Sequence, residues 1–525
     1  MNQLNKKQLI IGTRGSALAL WQAHYTQTQL TKLGYDSTLK IIETKGDAIQ
    51  NLSFDKLEGK GFFTKEIEDA LLNFEIDIAV HSHKDLPTLN PTGLEIAAVS
   101  YRANPSDTIL IRKESYEATK DLFVKENAVI GTSSPRRNQQ LQLYRKDILI
   151  KDLRGNVDTR INKLKKGMYD AIVLATAGLE RLQIDTTALI CIHLDCKKII
   201  PAPAQGVLAW QIRVDDERLQ SVCKQLNNEH TAAEIGIERR LLNQLEGGCR
   251  VACGVYCTKI ENIFHAFSFY VNETTNRVVR FSNNGENQNS IIEQHFEILK
   301  QNEQRLPIFI SSTVAKNSYI ANVAQRNDWK LQAQTLLTLT AIEAPIIEDY
   351  DAVYFTSKKG VDFFLAQHPT ACIDKVVACF GTETQSHLKK YGIESVIINA
   401  KETKELAAFN RLKIMFPQAK NSMKTAQKIV ASVATSIDLV VYDNQASTDN
   451  KVQPHDIALL TSPLNVVAYF EQKIRATAYI AIGNSTAEAL RNQGIEQCFV
   501  CTTPAEEHWA DAIFHATYML HQSSK

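Results

Sequence analysis

The strongest constraint on this fold is an alternation of short apolar strands and helix-spaced stretches that runs, breaks off, and starts again. LIIGT (9–13) is a short apolar run, and ALALWQAHYTQTQLTKLG (17–34) follows with helical spacing and a closing glycine. LKIIET (39–44), a helix near 64–73 and IDIAVHS (76–82) continue the pattern. AVIGTSS (128–134), a helix over 136–144, DILIKDL (147–153), a helix over 157–166 and DAIVLA (170–175) repeat it. Such alternation predicts open α/β sheets with parallel strands, whose ligands collect at the carboxyl ends of the strands. The loops TRGS, HSHKDLP, GTSSPRR and LRGN are therefore where chemistry is expected.

The rhythm breaks over 229–300. A helix, EHTAAEIGIERRLLNQL, leads through a cysteine loop into the strands FHAFSFYV and RVVRFS and a further helix, which together read as a small α+β domain. KQNEQRL (300–306) reads as a linker between two separately folding halves. PIFISS, AVYFTS (352–357), KVVACFG (375–381), IALLTS (457–462) and AYIAIG (478–483) then restart the alternation. YFTSKKGVDFF resembles LLTSPLNVVAYF, and ACFGTETQSHLKKYGI resembles YIAIGNSTAEALRNQGI, so this half reads as two similar α/β lobes.

The 525 residues carry a formal net charge of +1. No global field therefore draws in nucleic acid or an anionic membrane. No apolar run approaches membrane-spanning length, and the N-terminal run LII is too short for a signal-peptide core. Ten cysteines without a framework pattern fit free thiols in a reducing cytoplasm.

Charge is local instead. Residues 131–167 hold ten Lys or Arg against three Asp or Glu. Arg136 and Arg137 follow GTSSP at a strand-to-helix turn, Arg154 lies in LRGN, Arg160 starts the next helix, and Arg14 stands beside Ser16 in TRGS. Lys163, Lys165 and Lys166 fit a solvated face, whereas arginines placed after strands suit carboxylates or phosphates. Few aromatics interrupt the cluster, which favours a ligand with many carboxylates over a nucleic acid. In HSHKDLP, His81 and His83 lack a third ligand nearby, so no metal is expected. Asp85, beside Lys84, is the candidate for acid–base or cation-stabilising work. Lys56 and Lys60 flank a glycine turn that reads as a lid loop. QLEGGCRVACG (244–254) sets Cys249 behind two glycines, with Cys253 and Cys257 following. A structural thiol, a metal ligand and a covalent attachment point are all open at Cys249.

ALWQAHY, the GKG turn with FFTKE, DIAVHSHKDLP, GTSSPRR, LRGNVDTR, DAIVLATAGLERL, PAPAQGVLA and LEGGC occur in order across 9–254. They closely resemble the porphobilinogen deaminase (hydroxymethylbilane synthase) family. The resemblance implies a covalent dipyrromethane cofactor on Cys249 and an Asp85 carboxylate facing the pyrrole nitrogens to stabilise an azafulvenium cation. It implies that Lys84, Ser133, Arg136, Arg137 and Arg154 hold the cofactor. Arg14, Ser16 and Arg160 would bind substrate, with Lys56 and Lys60 in the active-site loop. TKGD (Lys45), AQG (Ala204) and Arg250 depart from the usual family residues.

FTSKKGV, FGTETQSHLKKYGI, LLTSPLNVV and AIGNSTAEALRNQGI resemble uroporphyrinogen-III synthase, although FISSTV replaces that family's usual opening. Tyr442, in LVVYD, matches its cleft tyrosine. Ser357, Ser462, Ser485 and Thr486 stand at strand ends as substrate-binding or helix-capping residues.

The expected fold is two periplasmic-binding-protein-like α/β domains (1–104 with 202–226, and 105–201) and an α+β domain (227–304). A two-lobed α/β synthase-like module (305–336 with 454–525, and 337–453) follows. The expected activity is bifunctional. Four porphobilinogen molecules are joined into hydroxymethylbilane and closed to uroporphyrinogen III by a monomeric cytoplasmic enzyme without metal, nucleic acid or membrane partners. The rival readings are a deaminase with a non-catalytic docking module and a polycarboxylate-binding module.

Overall fold

The computed structural model describes every residue except 1–7, 45–63, 246–250, 302–305, 399–403, 423, 448–450 and 524–525. Strand β1 (Leu9–Thr13) is buried along nearly its whole length, as a strand covered on both faces must be. It lies between β2 (Ser37–Ile41) and β3 (Ile78–Ser82), parallel to both. Helix α1 (Ala17–Lys32) follows it, capped by Ser16, whose Oγ accepts the Ala19 N–H. Helix α2 (Lys65–Leu72) precedes β3. With β4 (Leu94–Val99) and β10 (Leu208–Arg213) the sheet runs β2–β1–β3–β10–β4.

The second sheet runs β7–β6–β8–β5–β9, from β5 (Asp107–Arg112), β6 (Val129–Gly131), β7 (Leu149–Lys151), β8 (Ala171–Ala175) and β9 (Leu189–His193). Helices α3 (Pro135–Tyr144), α4 (Val157–Lys165) and α5 (Thr176–Arg181) connect its strands. The alternation predicts parallel sheets, yet both are mixed. β10 runs against β3 and β4, and β5 against β8 and β9. The cause is topological: the chain leaves the first sheet after β4 and returns to it only as β10. The strands that arrive from the other sheet are not laid down by a βαβ crossover, so they run against their neighbours.

The two crossing segments, 100–106 and 194–207, lie against the third layer. Helices α6 (Glu217–Leu226) and α7 (Glu229–Gln244) lead to an antiparallel sheet of β11 (Cys253–Ile260), β12 (Ile263–Val271) and β13 (Val278–Gly285), closed by α8 (Gln288–Lys300). Arg102, in the first crossing, donates to both oxygens of Glu238 on α7 at 2.7 and 3.2 Å, and to the carbonyls of Gln205 and Cys257. Glu238 is fully buried and also accepts the Ala204 and Cys257 N–H groups. A buried ion pair this heavily hydrogen-bonded fixes both crossings to the third layer.

The chain divides into two compact units. One is Met1–Ile308 with Val314–Leu331 and Phe499–Lys525, and the other is Phe309–Thr313 with Gln332–Cys498. β14 (Pro307–Ile310) and β15 (Lys330–Ala333) span the division in sequence, and α9 (Tyr319–Asn327) lies between them.

In the second unit, β16 (Leu337–Ala341), β17 (Ala352–Phe355), β18 (Val376–Cys379), β19 (Val396–Ile397), β20 (Lys413–Ala419) and β21 (Thr435–Ala446) form a sheet ordered β16–β21–β20–β17–β18–β19. All neighbours are parallel except β16 and β21. Chain order reverses between β17 and β20, and such a reversal opens a crevice beyond the strands' carboxyl ends. Helices α10 (Lys358–Gln367), α11 (Thr382–Lys389) and α12 (Thr425–Val430) serve this sheet. The parallel pair β22 (Ile457–Leu460) and β23 (Ala478–Ala481) is followed by α13 (Pro463–Glu471) and α14 (Asn484–Asn492). The repeated TS motifs have one physical meaning. Ser357 and Ser462 each accept a backbone N–H three residues on, from Gly360 and Asn465, at 3.1 Å.

The first unit also takes in α9 and the last helix, α15 (Glu506–Ser523). Arg280 on β13 is only 1% exposed, and its Nε donates to Asp511 Oδ1 on α15 at 2.7 Å. Ser282 Oγ donates to the other Asp511 oxygen at 2.9 Å. Tyr144, ending α3, donates to Glu507 at 2.8 Å, and Asn322 on α9 donates to the Leu143 carbonyl. The linker near 305 therefore does not part the contacts as the sequence suggests, because two later segments complete the first unit. Asp511→Leu strands the buried Arg280 charge. It is expected to cost about 3–5 kcal/mol in urea unfolding of the full-length protein, and Arg280→Met with Asp511→Leu should recover most of that loss. Equal losses in the single and double variants would show that the pair is not what holds α15.

Candidate active site

Loops at the carboxyl ends of β1, β3, β6 and β7 supply the charged residues. After β3, a 3-10 turn, His83–Asp85, leaves Asp85 exposed and Lys84 half-buried. Arg14, Ser16, Gln22, Ser82 and Asp85 line one small cleft, and Gln22 Nε2 donates to Ser82 Oγ at 2.8 Å to close its floor. His81 also lines this cleft, and neither histidine is charged. His81 is buried against Gln211 and His83 is buried nearby, and burial pushes both down to about 4, so both are neutral. Among the described residues no group of three or more metal-ligating side chains occurs.

Arg136 and Arg137 open α3 behind the cap Ser134, and both are buried. They converge on Asp107, the first residue of β5, which is fully buried. Arg136 Nη1 donates to Asp107 Oδ2 at 2.8 Å and to the Ile200 carbonyl. Arg137 Nη2 donates to Asp107 Oδ1 at 2.7 Å, and its Nη1 to the Val173 carbonyl. Burial alone would raise the Asp107 carboxyl, but the two guanidinium groups outweigh it and hold it well below the usual range. Gln205 Nε2 donates to Asp107 Oδ1 at 2.9 Å, and its Oε1 faces Lys84 Nζ at 3.4 Å. Neither Asp107 nor Gln205 stood out in sequence. Asp107 reads as an ordinary strand opening in NPSDTILI, although an acidic residue leading an apolar strand is a signal of a buried partner.

The remaining cations share this field. Burial lowers the Lys84 ammonium to about 8; Asp85 and Asp107 oppose that shift, and Arg137 and Arg136 add to it. Burial lowers Arg160 to about 10, with Arg137 and Arg154 reinforcing and Asp85 opposing. These mutual influences bring Lys84, Asp85, Arg136, Arg137, Arg154 and Arg160 into one electrostatic cluster. Ser133 does not present a spare hydroxyl: it exchanges two 3.0 Å hydrogen bonds with the Leu153 backbone, tying the GTSS loop to the LRGN loop. Gly155 in LRGN has φ +109°, and a Cβ there would lie 2.7 Å from Thr159 Cγ2, so the turn requires glycine.

Lys56, Lys60 and Cys249 lie outside the described residues. The flanks of the cysteine loop are described. Leu245 is buried at the end of α7, and Cys253 at the start of β11 lies near enough to Arg136 to influence its charge. Burial pushes the Cys253 thiol up to about 12, so it is a core thiol.

In the second unit, Ser357 and Tyr442 come together at the end of β17, with their hydroxyls 3.5 Å apart and the Tyr442 ring stacked on Phe363. Gly360 allows the Pro417 carbonyl of β20 to approach; a Cβ would lie 2.9 Å from it. Ser462 caps α13 and also accepts from Asn465 Nδ2 at 3.0 Å. Ser485 is exposed and Thr486 buried in the first turn of α14, whose cap is Gly483. Ser462 and Ser485 thus follow the carboxyl ends of two adjacent parallel strands.

Two α/β sheets joined by paired crossings, with buried arginines after a strand of one and an exposed carboxylate after a strand of the other, define a two-sheet α/β protein with a cationic candidate site. Residues 9–221 match the family model of the porphobilinogen deaminase dipyrromethane cofactor binding domain, and residues 334–511 match that of uroporphyrinogen-III synthase HemD. A porphobilinogen deaminase of a Nitratiruptor species is 49% identical over 255 residues, covering 49% of this chain and 80% of that protein. One of Sulfurimonas denitrificans is 43% identical over 258 residues, covering 49% of this chain and 81% of that protein. The Helicobacter pylori uroporphyrinogen-III synthetase structure aligns over 42% of this chain and all of its own, at 16% identity and a TM-score of 0.31. At that score the assignment of the second half rests on the family model. The chain belongs to the porphobilinogen deaminase family and carries a HemD-type uroporphyrinogen-III synthase domain after it.

The residues present fit a dipyrromethane group. Arg137 Nε is buried with no partner, and the cluster holds more cationic groups than carboxylates. An incoming carboxylate would satisfy both.

The depressed Lys84 ammonium has a direct readout. Only the neutral amine reacts with electrophiles, so in Cys249→Ser protein the labelling of Lys84 should reach half its maximum near pH 8. Ordinary surface lysines follow about 10.4. Labelling of Lys84 in step with surface lysines would contradict the burial argument.

Proposed function

We propose that this chain joins four porphobilinogen molecules head to tail into hydroxymethylbilane and closes that product to uroporphyrinogen III. It is then a transferase and a lyase of porphyrin and heme biosynthesis in one polypeptide. The observation that carries the reading is the electrostatic cluster of Asp85 with Lys84, Arg136, Arg137, Arg154 and Arg160, in a chain that matches both families.

Porphobilinogen carries acetate and propionate groups. In this reading Arg14, Ser16 and Arg160 bind those of the incoming molecule, assisted by Lys56 and Lys60. Lys84, Arg136, Arg137 and Arg154 hold those of the dipyrromethane cofactor, which is bonded to Cys249, and Ser133 serves them by tying the GTSS loop to the LRGN loop. When bound, that cofactor supplies the pyrrole with a free α-carbon from which the product is extended. Each addition breaks the aminomethyl C–N bond, releases ammonia, forms one C–C bond and frees the proton of the attacked carbon. Water finally releases hydroxymethylbilane. Loss of ammonia leaves a cationic azafulvenium, and the Asp85 carboxylate accepts the pyrrole N–H and balances that charge. At about 4 Å and an effective dielectric near 20, the attraction is about 4 kcal/mol. Guanidinium groups stay charged throughout and need no reorganisation between additions.

Ring closure loses the terminal hydroxyl as water and inverts the last ring. The Tyr442–Ser357 pair, with Ser462 and Ser485, offers hydroxyls and helix N-termini to carboxylates and to the departing oxygen, while the buried Thr486 supports the turn behind Ser485, so the work is positioning. The division into three deaminase-type domains and two synthase-type lobes belongs to this proposal, as does a monomeric state. A cytoplasmic location is supported by the nine described cysteines, all free thiols.

The test is chromatography of the oxidised porphyrin isomers made from porphobilinogen. Full-length protein is expected to give type III. Tyr442→Phe should slow closure about tenfold, the scale of one hydrogen bond, and raise the share of type I, which forms without an enzyme. Type I alone from the unaltered chain would make the second half a docking module, and no tetrapyrrole at all would leave a polycarboxylate-binding module. Asp85→Ala should lower porphobilinogen consumption by about 10²–10³ with folding intact. Near-normal turnover would reduce Asp85 to an ion-pair partner.

A further inference from the structure

We infer that Asp107 is a positioning residue for cofactor loading: its carboxylate aims Arg136 and Arg137 as one fork, and Gln205 ties that fork to Lys84. The inference rests on the function proposed above and adds two residues to it.

The geometry is specific. Asp107 is fully buried and receives three donors, Arg136 Nη1 at 2.8 Å, Arg137 Nη2 at 2.7 Å and Gln205 Nε2 at 2.9 Å. Each guanidinium is also anchored on a backbone carbonyl from a different segment, Ile200 in the second crossing and Val173 in β8. Neither arginine can turn without giving up a charge-assisted bond in a buried site. Asp107 neutralises only one of the two guanidinium charges. The site therefore stays cationic, with Arg137 Nε buried and unpartnered. A carboxylate anchored behind a guanidinium leaves its outward edge for a second anion at low entropic cost.

Gln205 extends this to the domain crossing. Its Nε2 also donates to the Pro105 carbonyl at 2.7 Å, so the side chain spans both crossing segments, with Lys84 on its Oε1. The two positions from which cofactor carboxylates would be held, Lys84 in the first domain and the arginine pair in the second, are thus joined through one amide and one carboxylate. A buried ion pair serving stability alone would not need the amide link to Lys84.

The test uses full-length protein, with the colour reaction of dipyrromethane with acidic dimethylaminobenzaldehyde as the measure of loading. Melting temperature is the measure of folding. Wild type should be loaded, and Cys249→Ser blank. Asp107→Asn keeps the shape and removes the charge; it should fold and carry at least tenfold less cofactor. Combined with Arg137→Gln it should lose little more than either single variant, since the two act as one unit. If Asp107→Asn does not fold, Gln205→Met decides, because it breaks the link and leaves the ion pairs intact. It should lower loading severalfold in protein that still folds and melts cooperatively. A loaded, folded Asp107→Asn, full additivity with Arg137→Gln, or fully loaded Gln205→Met overturns the inference. A blank wild type instead overturns the function it rests on.

Discussion

Everything at the first site depends on how two buried guanidinium groups are held beside each other. Arg136 and Arg137 are adjacent in sequence and nearly inaccessible, and like charges at that spacing repel. Burying one charge is expensive and burying two is worse, unless counter-charge and hydrogen bonds are supplied on the spot. Asp107 supplies the charge and the Ile200 and Val173 carbonyls supply further acceptors. The compensation is incomplete by about one charge, and in the proposed function that deficit is what draws in a carboxylate. A fully neutralised cluster would be a structural rivet with no reason to bind anything.

That arrangement follows from the double crossing of the chain. Asp107 lies at the end of the outgoing segment and Gln205 just before the returning strand β10. Close packing of the segments demands small residues: a Cβ on Gly206 would lie 2.5 Å from the Ala103 carbonyl, and one on Gly254 2.6 Å from that of Ile200. Arg102 and Glu238 then pin the crossings to the third layer. The layer that holds both flanks of the cysteine loop, Leu245 and Cys253, is thus referenced to the same backbone as the arginines.

Much of this was legible in the sequence because strand-to-helix turns are local. GTSSPRR announces a strand-to-helix turn with two arginines, and LRGN and HSHKD announce loops after strands. The small α+β layer was legible for the same reason. Long-range partners were not. Asp107 and Arg136 are 29 residues apart and Arg280 and Asp511 are 231 apart, and no local pattern announces such pairs. The two sheets of the first unit are mixed rather than parallel because crossing between sheets, invisible to periodicity, sets strand direction. The repeated serines of the second unit were legible as capping residues or ligand contacts. Ser357 and Ser462 cap helices, and Ser357 also faces Tyr442, which no spacing rule could have paired with it.

The central claim is that the cationic cleft holds a growing chain of pyrroles tethered to Cys249. The direct measurement is an intact mass spectrum taken within seconds of mixing the full-length protein with a few equivalents of porphobilinogen. The account predicts a ladder of covalent species above the resting protein, evenly spaced by one porphobilinogen less ammonia, and none in Cys249→Ser. A single unchanged mass in protein that is consuming porphobilinogen would contradict it.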